Sequence, residues 1–243
     1  MLSRTCKAVY FGMMYYPMRI NAWRHRTLMR TRGLLKVHLG PGQRNYLPGW
    51  TNVDANFLTA KIDIWADIRA TLPFRTESVQ AFYSHHVIEH LPDRLLPFHF
   101  SELFRSLRPG GVIRIAGPNG DMAIRKFTEN DPSWFDDFPD NRRSIGGRFA
   151  NFILCRGEHL TILTHSYLAE LATDAGFEAI RFVRPVSETN FPTVFNDVVL
   201  SHEWESTPDC AHTLVLEARK PGEALIADPP THRAARAQHA THR

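Results

Sequence analysis

From residue 34 to residue 219 the sequence alternates between short apolar runs and amphipathic segments, and no other feature restricts the fold as strongly. Leu34-Leu35-Lys36-Val37-His38-Leu39 reads as a buried strand that breaks into Gly40-Pro41-Gly42. Thr51-Asn52-Val53-Asp54 is a short second strand, Lys61-Ile62-Asp63-Ile64-Trp65-Ala66-Asp67 alternates as a third, and residues 79–84 form a fourth. Phe100, Leu103, Phe104 and Leu107 recur at i, i+3, i+4 and i+7, the spacing of a core-facing helix that stops at Arg108-Pro109-Gly110-Gly111. Val112-Ile113-Arg114-Ile115-Ala116 enters as a fifth strand. Thr164 caps a helix carrying Leu168, Leu171 and Ala172, which Gly176 closes, and residues 177–183 and 212–219 supply two more strands. This alternation predicts an α/β fold, a doubly wound, mostly parallel seven-stranded sheet with helices on both faces.

Three segments stand outside that rhythm. Residues 121–163 are rich in Asp, Asn, Pro, Phe and Arg and too long for an ordinary connection, so they are expected to form a lid over the carboxyl edge of the sheet. Residues 1–33 form a basic arm: the first 32 residues hold seven Arg and Lys and no acid, interleaved with Tyr10, Phe11, Met13, Met14, Tyr15, Tyr16 and Met18. Such a segment suits peripheral contact with an anionic membrane, and equally a helix packed on the body. Residues 221–243, rich in Ala, His, Pro and Arg without periodicity, read as a disordered tail. The domain proper spans 34–220.

Composition narrows the function. The stretch 33–220 carries 19 basic and 23 acidic residues, so the body is mildly acidic and a nucleic-acid partner is not expected. Cys6, Cys155 and Cys210 are too few and too scattered for a disulfide scaffold or a CxxC zinc module. They suit a reducing, cytoplasmic setting. Thirteen histidines invite a metal reading, but neither HxH nor HExxH spacing occurs, and no metal is expected.

Four landmarks follow the predicted strands: Leu39-Gly40-Pro41-Gly42, Asp54, Asp67, and Tyr83-Ser84-His85-His86-Val87-Ile88-Glu89-His90-Leu91. Glycines after a buried strand admit a ligand close to the backbone, and a carboxylate ending the second strand can accept both hydroxyls of a ribose. Taken singly, each landmark reads as well as a turn or a cap. Their order, together with Gly49-Trp50-Thr51-Asn52-Val53-Asp54, Leu72-Pro73-Phe74 and Leu107-Arg108-Pro109-Gly110-Gly111, resembles the class I S-adenosylmethionine-dependent methyltransferases, closest to the small bacterial methyltransferase-11-like group. The resemblance is close over residues 34–120 and looser over 164–183.

That resemblance implies a Rossmann-like fold and S-adenosylmethionine as cofactor. Gly40 and Gly42 would line its methionine part, Asp54 its ribose, and Asp67 with Ile68 its adenine, with Ser84 also on the cofactor side. His38 stands where the family usually has an acidic residue for the cofactor's amino group. The short span from Gly42 to Asp54, with Pro48 and Gly49, predicts a first crossover without a full helix. Methyl transfer to oxygen benefits from a general base, and histidine suits neutral pH. His86, at the sheet edge, and His159, in Arg156-Gly157-Glu158-His159, are the candidates, with Glu89 beside them. Glu89 and His90 read equally as residues that cap and orient a helix start. The expected function is O-methylation of a small-molecule, glycan or lipid-linked acceptor. An inactive accessory protein that uses its arm is the alternative. A nicotinamide-dependent oxidoreductase is disfavoured, since the glycine fingerprint lacks its third glycine and the helix behind it.

Overall fold

The computed structural model describes residues 4–28, 35–205 and 207–222. At the centre, β1 (Leu35–Leu39) pairs in parallel with β2 (Thr51–Asp54) and with β4 (Val79–His85). Outside them, β3 (Ile64–Trp65) joins β2 and β5 (Leu107–Pro118) joins β4, again in parallel. The last strand, β7 (Thr213–Arg219), runs antiparallel between β5 and β6 (Glu178–Val183). The order is β3-β2-β1-β4-β5-β7-β6, the seven-stranded, mostly parallel sheet expected from the sequence. Because the order reverses between β1 and β4, a crevice is left at the carboxyl ends of those strands.

Two strands depart from expectation by more than a residue at an end. The third strand shrinks to two residues, since on this edge only Ile64 and Trp65 find partners on β2. The predicted stop at Arg108-Pro109-Gly110-Gly111 lies inside β5: α2 (Leu96–Ser106) ends just before Leu107 and the chain is extended from there. There the Gly110 N–H reaches Lys220 O at 3.1 Å and the Lys220 N–H reaches Gly111 O at 2.8 Å, so the breaker residues are held as sheet margin.

The two faces of the sheet differ in kind. Val37, Leu39, Phe82, Ile113 and Ile115 face Leu96, Phe100 and Leu103 of α2 and Leu168, Leu171 and Ala172 of α5 (His165–Ala175). Burying each large side chain here contributes about 1.5–3 kcal/mol. Thr164 accepts the Tyr167 N–H and Gly176 adopts φ 98°, the cap and stop read from the sequence. On the other face the alternate residues include His38, Tyr83, Arg114 and Glu217, all buried. Leu47 and Trp50 from the first crossover cover them, with Phe195 and Val199 at the short α6 (Asp197–Leu200). As the short span predicted, no helix forms between β1 and β2.

Residues 121–163 are more regular than their composition suggests. They include two helices, α3 (Gly120–Thr128), capped by Asn119, and α4 (Ile145–Leu154), capped by Ser144. Ala123, Trp134 and Phe135 make a small separate core against Met122, Ile145, Phe149 and Phe152. Helical spacing among these apolar residues outweighs the polar residues dispersed between them.

The basic arm is a helix, α1 (Arg4–Leu28), docked on the body. Met18 and Ala22 are buried, Asn21 Nδ2 donates to Trp65 O at 2.7 Å, and Arg75 donates to the carbonyls of Arg26 and Thr27. No helix of the described residues is long and apolar enough to cross a membrane. The expected tail lies outside the described residues beyond Gly222, as do arm residues 1–3 and 29–34.

Candidate active site

A cavity of about 910 Å³ opens at the carboxyl ends of β1, β2 and β4, where the strand order reverses. Gly40, Asp54, Asp67, Ile68, His86 and His90 line it, and α1 adds Tyr10 and Phe11. Gly40 has to be glycine: its φ is +68°, and an added Cβ would lie 2.5 Å from Val87 Cγ2. Gly42 serves indirectly, donating its N–H to Asp54 Oδ2 at 3.1 Å, while the Asn56 N–H reaches Oδ1 at 2.9 Å. Burial pushes the Asp54 carboxyl above its ordinary value, and these N–H groups oppose that rise.

Asp67 sits two residues beyond β3 and is clamped by Arg69, with Nε at 2.9 and 3.0 Å from its two oxygens and Nη2 at 2.7 Å. The Arg69 guanidinium lies 3.8 Å from the centre of the Phe11 ring. Sequence reasoning missed Arg69, Tyr10 and Phe11. The Asp67-Ile68-Arg69 spacing was a readable signal for the first; only tertiary docking brings the α1 aromatics here. The Trp65 indole N–H and the Tyr10 hydroxyl meet at Ala55 O, which fixes that docking.

Besides Gly42, two predicted cofactor residues are not in the cavity wall. His38 is buried on the opposite face of β1, its Nδ1 3.0 Å from Asn52 Oδ1, and burial lowers its pKa to about 4. Strand alternation sends residue 38 away from the side that Val37 and Leu39 occupy. Ser84 is buried within β4, registered between Leu39 and Ile115.

The predicted catalytic residues do converge. His86 faces the cavity with φ +54°, stacks on Trp204, and places Nδ1 3.3 Å from Glu89 Oε1. Glu89 belongs to the 3₁₀ turn Ile88–His90 and is fully buried, yet neither carboxylate oxygen accepts a hydrogen bond among the described residues. Burial pushes this carboxyl up, but the flanking His86 and His90 rings outweigh it and hold it below its ordinary value. The Glu89 carbonyl accepts the Leu160 N–H at 2.7 Å, pinning the segment after α4 over the turn. His159 therefore comes to lie against His90, ring centres 5.2 Å apart, and burial lowers its pKa. His90 sets Nδ1 2.9 Å from Glu158 O and Nε2 3.8 Å from Glu89 Oε1.

Residues 51–115 match the family model described as a methyltransferase domain. No curated protein matches the sequence. Solved structures with a similar chain trace include phosphoethanolamine N-methyltransferase 2 of Haemonchus contortus in complex with S-adenosyl-L-methionine. It shares 14% identity over 85% of this chain and 53% of that one, with a TM-score of 0.48. This chain thus spans about half the length of that enzyme. An S-adenosylmethionine-dependent methyltransferase of Mesorhizobium loti shares 16% identity over 85% and 97% of the two chains, and one of Archaeoglobus fulgidus 15% over 87% and 100%, each with a TM-score of 0.48. The matched residues 51–115 run from β2 through most of β5, along one side of the cavity, and over that stretch the chain is similar to a methyltransferase domain.

Proposed function

We propose that the protein transfers a methyl group from S-adenosylmethionine to an oxygen of a small-molecule, glycan or lipid-linked acceptor. The observation that carries this reading is the Asp54 carboxylate, fixed by two backbone N–H groups at the end of β2 and opening on the cavity beside Gly40. Held in this way, it keeps lone pairs for the two hydroxyls of a ribose. The glycine turn leaves room for the methionine part, and Asp67 with Ile68 bounds the adenine. Arg69 already occupies Asp67, so an adenine amine shares that carboxylate with the guanidinium.

S-adenosylmethionine supplies an electrophilic methyl carbon on a sulfonium. The chain's task is to hold the acceptor oxygen in line with it and to receive a proton. His86 is the candidate base, because its ring faces the cavity. Glu89 and His159 act through position, Glu89 by orienting the His86 ring and His159 by packing against His90, which lines the cavity. Calorimetric titration tests the reading: S-adenosylmethionine is expected to bind and NADH not. Tighter binding of NADH overturns it.

We propose in addition that α1 contacts an anionic membrane surface from the cytoplasmic side. Val9, Met13, Tyr16, Ile20 and Trp23 are exposed and spaced 4, 3, 4 and 3 residues apart, so they form one exposed stripe along the helix, with Arg19 and Arg24 also exposed. A lipid-linked acceptor suits that placement. Flotation with anionic vesicles, weakened by salt, is the expected result; flotation that ignores vesicle charge speaks against it.

A further inference from the structure

We propose that Glu89, His90 and His159 bind one divalent transition-metal ion in the wall of the cavity. One ligand atom from each of the three lies within 4.8 Å of the others. Metal bonds of about 2.0–2.2 Å bring such atoms closer still, so only a small inward movement is required.

Hydrogen bonding points the same way. The His90 Nδ1 faces Glu158 O at 2.9 Å and the His159 Nδ1 faces Ile153 O at 3.2 Å. A carbonyl only accepts, so each Nδ1 carries the proton and each Nε2 is left with its lone pair. Ring N–H groups donated to backbone carbonyls are the usual outer support of metal-binding histidines. Beside them is the Glu89 carboxylate, fully buried: His86 Nδ1 lies 3.3 Å from its Oε1 without hydrogen-bond geometry, and Oε2 has no polar partner among the described residues. A buried carboxylate left in that state is costly unless a cation compensates it. Its Oε1 is 3.8 Å from His90 Nε2. Three electron-pair donors thus converge where a positive charge is required.

Two imidazoles and one carboxylate suit zinc, cobalt, manganese or iron in the divalent state, and three protein ligands leave coordination positions open. His90, Gly157 and Glu158 border the cavity, which places those open positions toward an acceptor. The ion's role rests on the methyl-transfer reading: it would hold the acceptor oxygen and favour its deprotonation. In that step the O–H proton passes to His86, an O–C bond forms to the methyl, and the C–S bond breaks with its electron pair left on S-adenosylhomocysteine.

The test uses full-length protein without a histidine tag, stripped with chelator and titrated with Co²⁺ and Zn²⁺. One equivalent is expected to bind, with a visible Co²⁺ absorption band and a rise in melting temperature. His90→Ala and His159→Ala are expected to weaken binding by about 100-fold or more and to abolish the band. Glu89→Gln should do the same; should that buried variant fail to fold, the two histidine variants decide. His165→Ala, which removes an exposed partner of Asp121, should bind as the parent does. Absence of a Co²⁺ band, or stoichiometric binding that survives both histidine variants, overturns the site, and a proton shared between His90 and Glu89 then accounts for the geometry. Protein that binds S-adenosylmethionine but neither ion refutes the metal site alone; protein that binds Co²⁺ but not S-adenosylmethionine supports the site and refutes the methyl-transfer reading.

Discussion

Gly40 and Val87 are packed so closely that a single methyl group on Gly40 would lie 2.5 Å from Val87 Cγ2. The turn after β1 and the segment after β4 therefore define one wall of the cavity together. Gly40→Ala must both leave φ +68° and displace Val87, and is expected to cost about 1–3 kcal/mol of stability. It should also weaken S-adenosylmethionine binding. Thermal melts and calorimetry check this; unchanged values would mean the two segments separate freely.

Asp54→Ala is expected to weaken S-adenosylmethionine binding by about 1.5–3 kcal/mol, the scale of hydrogen bonds to a charged group. The variant should fold, since the carboxylate's partners are the backbone N–H groups of Gly42 and Asn56 at the cavity rim. Unchanged affinity in folded protein would remove Asp54 from the site.

Arg114 is wholly buried and reaches Glu203 and Glu217 at 2.6 Å each. Arg114→Met leaves two carboxylates together without their counter-charge, an expected loss of about 3–5 kcal/mol. Chemical denaturation reads it directly. Replacing all three by apolar residues of similar volume should recover most of the loss, which separates charge imbalance from lost packing.

His38 and His99 are buried and their pKa values fall to about 4, in both cases chiefly because burial disfavours the charged ring. The unfolded chain takes up these protons near pH 6.5, the folded chain only near 4. Their contribution to stability is therefore complete above about pH 6.5, declines as pH falls, and is gone below about 4, at up to about 3 kcal/mol per histidine. Denaturant melts from pH 7.5 to 4.5 should show the decline. A flat profile would mean the rings are protonated in the fold.

Hydrogen exchange of residues 155–163 is expected to slow when S-adenosylmethionine and an acceptor are added, because Gly157, Glu158 and Leu160 line the cavity. The helices α3 and α4, which share their own apolar core, should change little. Equal exchange across 155–163 in both states would mark a static wall.

Much of the scaffold was legible because its signals are local. Apolar runs of period two and the i, i+3, i+4 spacing of Phe100, Leu103 and Phe104 mark strands and a helix without reference to the rest of the chain. Thr164 and Gly176 delimit α5 through bonds made within a turn or two. The glycine turn and Asp54 follow their strands directly, so their place at the sheet's edge came with the strand assignment.

What tertiary structure decided depends on residues far apart in the chain. The parity of β1 buries His38 against Asn52 instead of in the cavity. Docking of α1 makes Tyr10 and Phe11 part of the wall, which composition alone left equally open to a membrane role. The spacing rules for metal ligands describe residues a few positions apart in the chain, and so gave no sign that His90 and His159 come together. They meet 69 residues apart because the Glu89 carbonyl captures the Leu160 N–H. Local periodicity specifies which elements form, whereas a site's chemistry is set by side chains whose neighbours exist only once the sheet has closed over them.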